Sequence, residues 1–240
     1  MKNRILTASL LLLCASAQAA AQATQATPTP QPAQTPAAQT PAAQATPTPA
    51  ATPQKPPSEK KKKYEALLEK AKKGEGEVDY GALRLAFFET EDYNPMSGMF
   101  AYRSLWGAVM QGNWPEAAKQ AEAVLAGNYV DINAHMVAHV AYRQQGDAEK
   151  AKLHRRWADG LLASVKSGGD GKSPATAWHV ISTSEEYAVF RSMNLRPVGQ
   201  ALINDKGHSY DEMKVIDPQN TESKLYFNVD KPFSAYGRKN

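Results

Sequence analysis

The chain has 240 residues, 42% of them hydrophobic, and a formal net charge of +4 at pH 7. The positive charge is local, because Lys55–Lys73 contributes +5 and the first nineteen residues +2, which leaves about −3 for Gly74–Asn240. A nucleic-acid-binding protein would spread basic residues over a folded face with interleaved aromatics, so the composition argues against nucleic-acid binding.

The first nineteen residues have the order of a secretory signal peptide. Two basic residues precede the apolar run Ile5–Cys14, and the small residues Ala17–Ala19 follow it. This run is too short to span a bilayer, so we predict a cleaved signal at 1–19 and a periplasmic or secreted protein. The single cysteine lies within the signal, so the predicted mature chain has neither a disulfide nor a thiol nucleophile.

The next segment, 20–57, repeats Ala, Gln, Thr and Pro. Ten of the 16 prolines in the chain lie between Pro28 and Pro57, where large apolar side chains are absent. Such a segment cannot bury enough surface to offset its ordering entropy, so we predict a disordered linker that acts as a tether.

Helix signals begin at Ser58. Ser58 is a helix N-cap candidate, apolar residues recur every three or four positions after it, and Gly74 ends the pattern. A second helix begins at Asp79 and ends before the Asn94–Pro95 dipeptide.

Two similar turns then follow at a fixed spacing. The stretch QGNWPEA, 111–117, is echoed by QGDAEKA, 145–151, so that two glycine turns lie 34 residues apart. Each turn joins two helices with apolar periodicity. Helix pairs of this period, with a small residue five positions after the glycine, resemble a degenerate tetratricopeptide repeat over Gly98–Val165.

The C-terminal part has residue patterns typical of β-strands. We expect a short strand at Thr176–Ser182, a helix opened by Thr183 paired with Glu186, and three strands after it. The strands are predicted at Val198–Ile203, His208–Ile216 and Lys224–Val229.

The fold class is therefore α+β, with tetratricopeptide-like helical hairpins followed by a small antiparallel sheet with one inserted helix. We predict a helical region at 58–167 and an α+β region at 168–240, packed together as one domain.

Three segments resemble a known family. ETEDYNPMSG at 89–98, GHSYDEM at 207–213 and LYFNVD at 225–230 are similar to the bacterial family described only as a domain of unknown function, DUF4919. The resemblance covers Tyr80–Phe233. It implies a secreted protein and assigns no catalytic residue.

Histidine spacing raises the question of a metal site. His135 and His139 lie four residues apart on one predicted helix, a spacing that suits zinc. The metallopeptidase form requires Glu after the first histidine, where this chain has Met136, and His154 adds no carboxylate pattern. We predict no metal and no cofactor.

A hydrolase is the alternative function, with a site near His179, His208 and Tyr210. On a strand, His208 and Tyr210 share one face while Asp211 lies on the other. The chain has no Gly-x-Ser-x-Gly motif and no glycine loop that cradles a phosphate, so we favour a structural role for His208 and predict no catalytic residue.

The favoured function is non-catalytic binding of an envelope protein or peptide. In tetratricopeptide arrays the first helix of each pair lines the concave side, which implies that Tyr102, Trp106 and Arg143 lie there. Aromatic and arginine side chains anchor peptide partners. The alternatives are ordinary packing of these residues against neighbouring elements, and a structural spacer without a partner.

Overall fold

A computed structural model describes residues 56–74, 76–95 and 98–236, with the backbone alone at 98–100. The predicted signal peptide at 1–19 lies outside these residues, as does the predicted linker at 20–57 except for its last two positions.

Six α-helices come first in the described chain, and four strands with two further α-helices follow. The elements are α1 (Glu59–Lys73), α2 (Tyr80–Glu89), α3 (Gly98–Met110), α4 (Trp114–Gly127), α5 (Ile132–Gln144), α6 (Ala148–Lys166), β1 (Trp178–His179), α7 (Thr183–Ser192), β2 (Arg196–Asp205), β3 (His208–Ile216), β4 (Glu222–Asn228) and α8 (Asp230–Tyr236). The predicted α+β class is confirmed. None of the described helices combines the length and apolarity needed to cross a membrane.

Local capping explains where the first two helices begin. The Ser58 hydroxyl accepts a hydrogen bond from the Lys61 amide, and the Asp79 carboxylate accepts one from the Ala82 amide. Each cap satisfies an otherwise unpaired amide of the first helical turn. Both predicted caps are confirmed.

The predicted turns join two helical hairpins, α3–α4 and α5–α6. Gly112 and Gly146 adopt φ values of 64° and 79°, which side chains with a Cβ disfavour. Ala117 and Ala151, five residues after each glycine, are buried. Their small side chains let each pair of helices approach closely. The relationship to tetratricopeptide repeats remains a prediction.

The sheet differs from the predicted one. Its strand order is β1-β4-β3-β2, and β1 runs parallel to β4 while the other neighbours are antiparallel. The sheet is therefore mixed rather than purely antiparallel. Turn residues in the sequence indicate only the pairing of strands that follow one another along the chain. Trp178 pairs with Phe227, although α7, β2 and β3 lie between them in the sequence.

The start of α7 also corrects a prediction. Its N-cap is Ser182, not Thr183, and Glu186 is buried in the core instead of completing a capping pair. The short helix α8 was not predicted, because it follows directly on the predicted strand Lys224–Val229 and is only seven residues long.

One hydrophobic core joins helices and sheet. Trp157 of α6, Phe190 of α7 and Phe227 of β4 are fully buried in the same cluster. A second cluster, made largely of alanines, lies among α3, α4 and α5. The first helices and the sheet therefore share one packed interior.

A buried ion pair ties α2 to the beginning of α7. Arg84 Nε and Nη2 donate to the two Glu185 carboxylate oxygens at 2.8 and 2.6 Å. Nη2 also donates to the His179 carbonyl at 3.1 Å. This bidentate geometry fixes the first turn of α7, which forms one wall of the cleft described next.

Candidate binding cleft

A cleft of about 850 Å³ lies between the end of α4, the beginnings of α5 and α7, and the segment 92–95. Its lining includes six aromatic side chains: Phe87, Tyr93, Tyr102, Trp106, Tyr187 and Tyr236. Its volume falls within the roughly 300–1,000 Å³ of small-ligand pockets. We refer to it below as the aromatic cleft.

One wall of the aromatic cleft is fixed by Asp131, the N-cap of α5. Its Oδ1 accepts from the Ala134 amide at 2.8 Å, and its Oδ2 accepts from the Tyr102 hydroxyl. Burial raises the pKa of Asp131, and burial together with the Asp131 charge raises the pKa of Tyr102. Tyr102 therefore stays protonated and donates, which holds its ring in one orientation.

Trp106 is paired with an arginine from a distant helix. The Arg191 guanidinium carbon lies 4.7 Å from the centroid of the Trp106 ring, a cation–π contact. Arg191 Nη2 donates to Asn133 Oδ1 at 2.5 Å, and Asn133 Nδ2 donates to the Ser184 carbonyl at 2.9 Å. These bonds couple α5 to α7 across the cleft.

Among the described residues that line the aromatic cleft, Arg191 is the one basic residue. Within the described part of the chain it forms no ion pair, and Asn133 is its one hydrogen-bond partner. Arg191 is exposed as a whole residue, and partial burial of its guanidinium lowers the pKa of Arg191. A guanidinium presents five donors in a planar fork that matches a carboxylate.

The beginning of α7 adds partial positive charge to the same cavity. Ser182, Thr183 and Ser184 line it, and the Ser182 side chain makes no capping bond. The N-terminus of a helix favours anions through its unpaired amides and its dipole. It therefore acts in the same direction as the Arg191 charge.

The structure brings together two of the three predicted binding residues. Tyr102 and Trp106 line the aromatic cleft, whereas Arg143 is exposed and lies outside its lining. The cleft meets α5 at Asn133, ten residues before Arg143, a separation of about 15 Å along a helix. Arg191, which sequence reasoning missed, supplies the guanidinium instead.

A family model described as "Domain of unknown function (DUF4919)" matches residues 59–238. The chain belongs to the DUF4919 family. The match begins where α1 begins and extends two residues past α8, so it spans every described helix and strand. Comparisons with curated proteins and with solved structures returned no match.

In this DUF4919 protein the three residues of the alternative hydrolase site lie on one face of the sheet. His179 is in register with Asn228, and Asn228 with Tyr210. His208 Nδ1 lies 2.7 Å from Asp230 Oδ2. Among the described residues no hydroxyl nucleophile bonds to His208, so the arrangement is a histidine–carboxylate pair at the surface.

The other three histidines pack between α5 and α6. His135 Nδ1 lies 2.9 Å from His154 Nδ1, and its Nε2 lies 2.9 Å from the Tyr129 carbonyl. His139 Nδ1 bonds to the Ala151 carbonyl. Burial lowers the pKa of His135 to about 3. In the described ranges no group of three His, Cys, Asp or Glu side chains could hold a metal ion.

Proposed function

We propose that the protein is a non-catalytic binding protein of the bacterial envelope, and that it holds a short polypeptide segment of a partner in the aromatic cleft. The observation that supports this most strongly is the pairing of Trp106 with Arg191 at the edge of a cavity lined by several tyrosines. Aromatic and arginine side chains dominate the binding energy of protein interfaces.

The size and lining favour a segment of chain over a folded surface. The cavity is concave and holds about 850 Å³, whereas folded partners dock on broad and nearly flat areas. Its hydroxyl and amide groups, from Thr183 and Asn128 among others, suit the donors and acceptors of a peptide backbone.

The charges favour a segment that carries a carboxylate. The three carboxylates of the lining are already engaged: Asp92 by Lys61 at 2.8 Å, Glu185 by Arg84 at 2.6 Å, and Asp131 by Tyr102 and a backbone amide. Arg191 has no such partner within the described residues, and the beginning of α7 lies in the same lining. An acidic side chain or a C-terminal carboxylate of the partner would complete this arrangement.

Placement in the envelope rests on the predicted signal peptide, and the predicted linker would set how far the folded part reaches. A periplasmic or secreted location and an envelope partner belong to the proposal. Fractionation of cells that produce the chain tests the location independently of binding.

The binding proposal is tested with peptides selected from a displayed random library, measured by fluorescence anisotropy. Trp106→Ala and Arg191→Met are each expected to weaken binding tenfold or more, since truncated anchors cost about 2 kcal/mol. Arg143→Met is the matched control, because it removes an exposed arginine outside the cleft. Equal affinity for all three variants would contradict the proposal.

A further inference from the structure

The sheet has one long uncovered edge. Strand β2 spans ten residues and is last in the order β1-β4-β3-β2. In the described part of the chain no strand pairs with its outer side. Val198 is 39% and Leu202 53% exposed. An edge of this kind presents a row of unpaired backbone donors and acceptors to any strand that fits it.

We propose that a second copy of this chain pairs with this edge, β2 against β2 and antiparallel about a two-fold axis. The two four-stranded sheets then form one sheet of eight strands. This inference goes beyond the proposed function and is independent of it, because no residue of β2 lines the aromatic cleft.

Symmetry restricts the register of such a pair. A two-fold axis perpendicular to the sheet keeps each face on its own side, so directly opposed residues must share a face. Strand β2 carries a bulge between Pro197 and Gly199, which adds one residue at that end. An axis through Ala201 then places Gly199 opposite Ile203 of the partner subunit.

The charges at the two ends of β2 select this register. With the axis at Ala201 and the bulge counted, Arg196 lies opposite Asp205 of the partner subunit. The two-fold axis generates a second, equivalent pair at the other end of the strands. An axis through Gln200 or Leu202 shifts Arg196 two residues away from that carboxylate. Both Arg196 and Asp205 are exposed and have neither an ion pair nor a side-chain hydrogen bond among the described residues.

The side chains at the centre are compatible with close pairing. Gly199 and Ala201 are small and share the outer face, so they do not obstruct the approach of a second strand. On the inner face Leu202 lies opposite Gln200 of the partner subunit and diagonal to its Leu202, within reach of side-chain contact. The pairing would cover the exposed Leu202.

A single strand pair buries less surface than a standard stable interface of about 1,200–2,000 Å². The dimer is therefore expected to be concentration-dependent and to weaken with salt. A dimer would also present two copies of the aromatic cleft, which raises the avidity for a partner that offers two segments.

Charge reversal tests the register by sedimentation velocity over a concentration series. Arg196→Glu and Asp205→Lys should each shift the purified chain to monomer by placing like charges opposite each other. Mixing the two variants, or combining both changes in one chain, restores opposite charges and should restore the dimer. A wild-type monomer at all concentrations, or a dimer insensitive to both single changes, would overturn the proposal.

Crosslinking provides a second readout in a Cys14→Ser background. Directly opposed residues of antiparallel strands have Cα atoms about 4.5–5.5 Å apart, within disulfide range. Ala201→Cys should therefore form a covalent dimer under mild oxidation. Ser223→Cys, an exposed position on β4, is the control. Crosslinking of both variants to the same extent would overturn the assignment of β2.

Discussion

The burial of Glu186 makes the free energy of unfolding depend on pH. It lies on α7 and is 1% exposed, and its Oε1 has no hydrogen-bond partner in the described chain. Burial, followed by the nearby charges of Asp211 and Glu185, raises the pKa of Glu186 to about 9, from an ordinary value of 4.5. Glu186 is therefore protonated in the folded protein at neutral pH.

The upward shift of the Glu186 pKa determines whether stability rises or falls with pH. Because the folded pKa is above the unfolded one, the folded state holds a proton that the unfolded state releases between pH 4.5 and about 9. The stabilising contribution is complete below pH 4.5 and is lost as pH rises through this window. The loss is about 1.4 kcal/mol per pH unit, or about 3 kcal/mol by pH 7.

Glu186→Gln removes this dependence, since an amide of the same shape does not titrate. Urea unfolding of both proteins at pH 6, 7 and 8 should show the variant gaining about 1.4 kcal/mol relative to wild type for each pH unit. Contributions from groups that do not interact with Glu186, including His135, are common to both chains and cancel. Glu89→Gln, at an exposed position on α2, should leave the pH dependence unchanged.

The comparison depends on the slope and not on the absolute stability. The Glu186→Gln variant could differ from wild type by a constant amount because the amide packs differently, and that offset carries no information about the proton. If the unfolding free energies of the two proteins run parallel from pH 6 to pH 8, Glu186 is ionised in the fold and the predicted proton is absent.

Two further predictions concern the packing of the helices. Arg84→Met leaves Glu185 buried and unpaired, so it should lower the free energy of unfolding by about 3–5 kcal/mol, and a loss below about 1 kcal/mol in urea unfolding would contradict this. Gly160→Ala should lower the melting temperature, because its Cβ would lie 2.2 Å from the Tyr80 ring. Gly107→Ala is the matched control, since a Cβ there meets nothing within 4 Å, and equal melting temperatures for the two variants would count against this steric argument.

Much of the helical part could be predicted because its signals are local. The caps at Ser58 and Asp79 bond to amides three residues ahead, and the glycines at 112 and 146 adopt the conformation that their turns require. Such features depend on a few neighbouring residues. The two helical hairpins followed from them.

The sheet topology and part of the site could not be predicted, because they depend on contacts between distant segments. Trp178 and Phe227 are 49 residues apart, and no turn signal links them. The aromatic cleft takes Trp106 from one hairpin and Arg191 from α7. Periodicity placed Trp106 on a helix face, but only the fold shows which arginine meets it.

Photo-crosslinking asks whether the aromatic cleft is where a partner binds. A photo-reactive phenylalanine derivative replaces Tyr187, which lines the cleft and is 43% exposed, or Leu153, which is 37% exposed on α6 and outside the lining. With a selected peptide bound, irradiation should attach the peptide to the chain labelled at position 187 and not to the chain labelled at 153. Attachment at 153 with none at 187 would show that the peptide binds elsewhere.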